Sequence, residues 1–474
     1  NTIPDGAGNT LAEARNIDVL TDYQSFTDTV GANDPNDFYR FSLQKLDTVS
    51  VFLNGLAAGT KIDLLDSTGK LIRSSTNAGT KWSASNSGST GGSITETLAA
   101  GTYFVNVKPA TVTGDALYDQ GEKYSLMFQP HSAPNTIVIA AANTANKGGA
   151  DLFADGTDDQ EVINQAIKQV GEKGGGNVVL LGGTYDISNN IMVTYDKVSL
   201  RGVGWNTHLR QKDNVVFSFA GMLRSAFAKS EDNVTKPTFI DQHFKHIRLD
   251  GNKANQTSSK NAYGNFGTHD GGSFEDLRVH DFKYYGIDPH ENSWVGLPTR
   301  NLLIKDNLAD HNGVDGITLD NLVDSQVIGN VSDSNTRHGI NVVTDSENNI
   351  IRSNIASNNG VHGIVVQSGS DKSRSSSNNT LIDNIAKLNK RNGIYIELAD
   401  KTLVENNLIQ ENGQHGIHLR SASFTTIRNN TLLNNSQQEN DRFNEIYVDD
   451  YTQQVNGQWF YSTNNLVESN TITN

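Results

Sequence analysis

Within the stretch 284-YYGIDPHENSW-294 a phenol, two carboxylates and an imidazole lie close together, as Tyr285, Asp288, Glu291 and His290. A phenol and an imidazole on opposite sides of a substrate are suited to proton transfer as acid and base. Carboxylates beside an imidazole can tune it, or can themselves be kept protonated by a neighbouring negative charge. The same groups suit a divalent cation, but the chain contains neither an HExxH pair nor a recognisable calcium loop. The glycines of 201-RGVGWN-206 do not complete a dinucleotide fingerprint.

These residues sit on one rung of a repeat. Gly-Ile pairs recur at Gly286-Ile287, Gly316-Ile317, Gly339-Ile340, Gly363-Ile364, Gly393-Ile394 and Gly416-Ile417, spaced by 30, 23, 24, 30 and 23 residues. Asn-rich turns precede most of them, as in 311-HNGVDGI-317 and 358-NNGVHGI-364, and second strands such as 325-SQVIGN-330 and 379-NTLIDN-384 lie between. A coil of about 22 to 24 residues made of short strands predicts an all-β fold, a right-handed parallel β-helix of the pectate-lyase type. The fixed leucine spacing of leucine-rich repeats is missing, and a propeller needs about twice the period.

Side chains alternate along a strand, so the Gly-Ile register sorts them. Positions one and three after the Gly are Ile287 and Pro289, Ile317 and Leu319, and their equivalents to Ile417 and Leu419, all apolar and predicted to face inward. Positions two and four are then predicted to face out, putting Asp288 beside Thr318 and His290 beside Asp320 on an exposed patch. Tyr285 leans over that patch from the preceding bend, while Arg337 and His338 precede the bend two coils on. Polar residues are the default outside a β-helix, and His362, His415 and His418 read as surface decoration. An elongated face of this kind suits a polysaccharide better than a small metabolite.

Around this solenoid the chain predicts two further parts. Residues 1–132 hold short alternating runs, 37-DFYRFSL-43, 49-VSVFLNG-55, 61-KIDLLDS-67, 102-TYFVNVKP-109 and 123-KYSLMFQ-129, which predict a small antiparallel β-sandwich acting as an accessory domain. A linker is expected at 130-PHSAPN-135, and the second domain spans 133–474. One amphipathic helix is expected over 158-DDQEVINQAIKQVGEKGGG-176, with Thr157 and Gln160 at capping-box spacing, as a cap on the open end of the solenoid. No run of about 18 apolar residues appears, so no membrane-spanning helix is expected. With no cysteine there is no disulfide, and a formal charge of −15 argues against nucleic acid as a partner.

The block 285-YGIDPHE-291, with 310-DHNGVDGITLDNLVDS-325, 334-SNTRHGINVVT-344 and 249-LDGNKANQTSSK-260, closely resembles the secreted mannuronan C-5 epimerases over about 135–474. The segments 34-DPNDFYRFSL-43 and 100-AGTYFVNV-107 resemble bacterial pre-peptidase C-terminal domains. The first resemblance implies an extracellular, secreted bacterial enzyme acting on alginate or polymannuronate. It further implies Tyr285, Asp288, His290 and Asp320 as the catalytic group, with Lys260, Arg337, His338 and Glu291 as substrate-binding or supporting residues. The implied reaction removes the C-5 proton of a uronate and returns one to the opposite face, with Tyr285 and His290 as acid and base in either order. Alginate lyase is the nearest alternative because its first step is the same, and a non-catalytic polysaccharide-binding protein is the more remote one. Calcium is expected to assist, with no ligands assigned; no organic cofactor is expected, and the protein is expected to be a monomer. Asn321 stands where the family leads one to expect an aromatic residue.

Overall fold

The computed structural model describes residues 6–31, 34–54, 60–77, 92–109, 122–226, 238–292, 296–368, 374–438, 443–451, 454 and 457–473. Ser293 and Trp294, at the end of the 284–294 motif, lie outside the described residues. Two compact units result: Asn1–Tyr185 with Leu200–His208 and His246–Arg248, and Asp186–Ser199 with Leu209–Lys245 and Leu249–Asn474.

In the first unit, one sheet runs in the order Arg15–Val19, Asp37–Leu43, Gly101–Pro109, Thr60–Leu65, Leu71–Asn77. The other runs Gln24–Val30, Glu122–Pro130, Asp47–Asn54, Ser93–Leu98. Within these two sheets only Arg15–Val19 and Asp37–Leu43 pair in parallel. Alternation along Asp37–Leu43 sends Tyr39, Phe41 and Leu43 into a core shared with Val51, Val105 and Phe128. The expected linker is instead packed down. His131 Nε2 lies 2.9 Å from the Ser50 hydroxyl, and the Ser132 hydroxyl donates to Asp47 at 2.6 Å. The cause is a second core, in which Phe52 and Met127 of the sandwich meet Val138, Ala140, Val179 and Leu181 of the strands that follow.

The helix spans Gln160–Glu172 and buries Ile163, Ala166, Ile167 and Val170 against Thr136–Ala140 and Gly176–Leu180. The expected capping box is not made. The N-cap is Asp159, whose carboxylate receives the Gly156 amide at 2.9 Å from the preceding turn.

The second unit is a solenoid of parallel strands. Ile317–Asp320, Ile340–Val343, Ile364–Gln367, Ile394–Glu397, Ile417–Arg420 and Ile446–Asp449 stack in chain order, each isoleucine paired with the next, and Ile287 bridges to Ile317. The inward positions agree with the register: Ile287, Ile317, Leu319, Ile340, Val342, Ile364 and their successors to Leu419 are sealed from water, whereas Val448 in the last strand of the ladder is exposed. The expected second strands form a ladder from Leu303–Lys305 to Leu466–Glu468. A third ladder, from Arg278–His280 through Val331–Asp333 and Ile355–Ser357 to Thr471–Thr473, was not expected. Its members, such as 331-VSD-333, are three residues long and mix small with polar side chains, too short to show alternation. Left-handed bends at Asp306, Ser353, Asp383 and Asn406, and at His311, Ser334 and Asn358, separate the strands, where a short polar side chain tolerates positive φ.

The asparagines of the turns point into the solenoid. Asn307, Asn330, Asn354, Asn384, Asn407 and Asn430 form one buried column, and Asn312, Asn335, Asn359, Asn389 and Asn412 another. Asn384 Oδ1 accepts the Asn354 amide N–H at 2.9 Å and its side-chain N–H at 3.0 Å, while Asn384 Nδ2 donates to the Ile351 carbonyl at 2.8 Å. These bonds satisfy backbone groups that bend away from the strand ladders. Asn384→Leu leaves the Asn354 N–H buried and unpaired and removes the side-chain bonds to Asn354 Nδ2 and to the Ile351 carbonyl. At about 1–3 kcal/mol for an orphaned buried group, the urea unfolding midpoint is expected to fall by the equivalent of about 2 kcal/mol.

Candidate active site

The ladder register brings Asp288, His290 and Asp320 together as expected. His290 Nδ1 lies 3.1 Å from Asp320 Oδ2 and 3.7 Å from Asp288 Oδ1. The patch is less exposed than expected. Side-chain exposure is 26% for His290 and 19% for Asp320, but 1% for Asp288. Phe266 is one cause, stacked on the His290 ring at 4.5 Å. The Asp288 amide donates to Asn265, while both of its carboxylate oxygens lack a hydrogen-bond partner among the described residues. Burial pushes the Asp288 carboxyl up to about 6 against the pull of His290, so burial outweighs the neighbouring carboxylate that was expected to hold it protonated. Burial alone would lower His290, yet Asp288 and Asp320 outweigh it and raise the imidazole to about 10. In the free protein at neutral pH His290 is therefore an imidazolium.

Tyr285 precedes the Gly286 bend, where the Gly316 carbonyl would lie 2.5 Å from any Cβ, leaving room only for glycine. Its ring packs on Tyr284 at 4.4 Å and Tyr263 at 5.4 Å, and Arg337 Nη2 donates to its hydroxyl at 3.3 Å. Burial raises the phenol above its ordinary range, and Arg337 opposes the rise. The guanidinium is itself anchored by Asp315, a carboxylate with no exposure that the sequence analysis did not single out. Asp315 accepts from Arg337 Nε at 2.7 Å and Nη2 at 2.5 Å, from Thr318, from the His338 amide and from Asn341. A signal was available: where the other Gly-Ile pairs are preceded by His or Asn, or by Tyr285 in the first, this one is preceded by a carboxylate.

The remaining expected residues divide. Lys260 is exposed and enters no ion pair among the described residues; it precedes Ala262, whose carbonyl accepts the Tyr284 amide at 3.0 Å. His338 is buried, and burial lowers it to about 4, so it is a neutral ring. Glu291 is engaged by Arg374 and by Asn321 Nδ2 at 2.9 Å, and Arg374 depresses its carboxyl. Asn321 takes φ 53°, a left-handed position that favours asparagine over an aromatic side chain. Nothing in the sequence pattern marked Phe266 or Arg374.

The histidines read as decoration are a buried stack. His338 lies on His362 at 5.2 Å, His362 on Tyr395 at 4.7 Å, and Tyr395 on His418 at 5.0 Å, while His415 lies on Tyr447 at 4.5 Å. Rings repeated at about the rung spacing of a parallel sheet cover one another from water. His338, His362, Tyr395 and His418 floor a groove of about 470 Å³ lined by Arg337, Arg391, Gln367 and Arg420.

Among the described residues two clusters bring a histidine and two carboxylates together, Asp288/His290/Asp320 and Asp250/His280/Asp281. Calcium takes six to eight oxygen ligands. Each cluster offers an imidazole, and in the first the ring nitrogen that faces both carboxylates bears a proton, so neither fits calcium.

A family model described as periplasmic copper-binding protein (NosD) matches residues 225–374 and 299–456, and one for the bacterial pre-peptidase C-terminal domain matches 35–109. The chain is 33% identical over 285 residues to mannuronan C5-epimerase AlgE3 of Azotobacter vinelandii, covering 57% of this chain and 15% of that protein. It is 33% identical over 333 residues to AlgE5 of the same organism, covering 67% and 32%. Alginate lyase 7 of Azotobacter vinelandii is 29% identical over 203 residues, covering 40% and 22%. The chain thus spans a third or less of the length of these curated relatives. The solved A-module of mannuronan C-5 epimerase AlgE4 from Azotobacter vinelandii superposes with a TM-score of 0.62 at 28% identity, over 71% of this chain and 88% of that one. With a solenoid like that A-module and a pre-peptidase C-terminal domain ahead of it, this chain belongs to the mannuronan C5-epimerase family.

Proposed function

We propose that the solenoid converts β-D-mannuronate to α-L-guluronate within alginate by removing and replacing the C-5 proton. The observation that carries this reading is the pairing of two proton-transfer groups with separate electrostatic supports: His290 between Asp288 and Asp320, and Tyr285 under Arg337. The protonation states favour one order. Both groups are protonated in the free protein, but His290 loses its proton near 10 and Tyr285 only above the ordinary phenol range. The form with a neutral imidazole as base and an intact phenol as acid is the more populated. His290 takes the C-5 proton, the electron pair of that bond moves into the carboxylate group, and Tyr285 returns a proton to the other face. Arg337 Nη1, without a partner among the described residues, and Lys260 are the cations proposed for the uronate carboxylate. Neutral His338 serves as a hydrogen-bonding group, and Glu291 takes a supporting role.

We take residues 1–132 as an accessory domain and 133–474 as the catalytic one, acting as a monomer outside the cell. Among the described residues no helix is long and apolar enough to cross a membrane. Calcium is proposed to assist by bridging an acidic protein and an anionic polymer.

Incubation with polymannuronate tests the reading: guluronate proton NMR signals without chain shortening are expected. Ultraviolet absorbance from unsaturated chain ends would assign instead the lyase reaction, which expels the O-4 substituent after the same first step and is favoured by the likeness to alginate lyase 7. Because the base must be unprotonated, kcat/KM is expected to rise about tenfold per pH unit below about 10 and to fall once Tyr285 ionises. A profile that is flat or falls through neutral pH would show that no group with so raised a midpoint has to lose its proton, and would overturn His290 as the base.

A further inference from the structure

One guanidinium ties together four successive coils beside the His290–Asp320 pair. Arg374 Nη1 donates to Glu291 Oε1 at 2.9 Å and Nη2 donates to Oε2, while Nε donates to Asp345 Oδ2 at 2.8 Å. Asn321 Nδ2 donates to the same Glu291 carboxylate at 2.9 Å. Glu291 directly follows His290, and Asn321 directly follows Asp320. The Glu291–Asn321 contact therefore spans the same two coils as the dyad, one residue further along each. Arg374 reaches it from 83 residues away in sequence.

An exposed ion pair contributes little, but this pair is a two-pronged guanidinium–carboxylate contact on a carboxylate whose side chain is only 9% exposed. Without Arg374, Glu291 would hold an unbalanced charge next to the imidazole. The charged groups acting on His290 are then Asp288, Asp320 and Glu291, with the neutral Phe266 ring stacked on it.

We propose that Arg374 is a positioning residue for the reaction: through Glu291 and Asn321 it sets the spacing of the His290–Asp320 pair, and by neutralising Glu291 it keeps a third carboxylate from acting on His290. The proposal rests on the epimerase reading for its kinetic consequence, but the electrostatic part is measurable without turnover.

The test compares Arg374→Ala, Glu291→Gln and the double variant with the unaltered protein. Readouts are kcat and KM on polymannuronate, the thermal midpoint, and the titration of the His290 ring followed by nitrogen NMR. Arg374→Ala is expected to lower kcat by at least about tenfold with KM within about twofold, and to move the His290 midpoint upward, since an unneutralised anion favours the imidazolium. Glu291→Gln moves that midpoint downward. The double variant returns it towards the unaltered value and recovers most of kcat, because glutamine removes the charge and still accepts from Asn321. Unchanged kcat and midpoint in Arg374→Ala would overturn the proposal. So would equal impairment of the single and double variants with equal thermal losses, the mark of a merely structural contact. If the unaltered protein makes no guluronate, the epimerase reading fails, and the opposed midpoint shifts alone decide whether Arg374 acts on His290.

Discussion

Tyr285→Phe and His290→Ala should each remove guluronate formation from polymannuronate while the solenoid stays folded, a loss of about 10²–10⁴ for a group that transfers a proton in the transition state. The phenylalanine variant is the cleaner one. It keeps the ring and its packing on Tyr263 and Tyr284, and Arg337 remains held by both prongs to Asp315. Only the hydroxyl and the hydrogen bond it accepts from Arg337 Nη2 are lost, so a loss of turnover on this scale reports proton transfer. His290→Ala changes more, because Asp288 and Asp320 then lack the cation between them and the face of Phe266 is uncovered. One of the two carboxyls is expected to take up a proton in response. Guluronate signals by proton NMR, beside circular dichroism and a thermal melt, check both variants. Ordinary turnover in either would remove that residue from the proposed mechanism.

Arg337→Ala is expected to be the most damaging single change outside the proton-transfer pair, and to act on stability as well as on turnover. Asp315 has no exposure, and Arg337 supplies two of its hydrogen bonds and its neutralising charge. Removing one partner of a buried pair costs about 3–5 kcal/mol. The figure here is expected nearer 2 kcal/mol, since the Arg337 side chain is 38% exposed and Thr318, His338 and Asn341 still donate to Asp315. Turnover should fall about 10²-fold or more through loss of the charge that balances the uronate carboxylate. Arg337→Lys should recover little, because an ammonium cannot reproduce the fork that bonds Asp315 and Tyr285 together. Urea unfolding and the guluronate assay separate the two effects. Full turnover in the alanine variant would exclude Arg337 from the site.

Much of the scaffold is legible in the residues. A glycine followed by an apolar, outward, apolar, outward pattern sets which side chains of 286–290 and 316–320 face the interior, and the pairing of Ile287 with Ile317 brings His290 to Asp320 as that pattern requires. The third strand of each coil was not legible, because three residues with one buried side chain carry no period. The asparagines were legible as turn residues and not as an interior, since polarity predicts exposure unless a whole column of partners is present.

By itself, then, the sequence determined the repeat, the register of its inward faces and the approach of His290 to Asp320, because these follow from local periodicity and from the constant spacing of stacked strands. Only the tertiary structure decided how wet those groups are and what charge they carry. Phe266 over His290, Asp315 under Arg337 and Arg374 against Glu291 are contacts between different rungs, and each acts through burial or through a charge whose strength depends on excluded water. Exposure and electrostatics are properties of the packed assembly, and no single strand contains them.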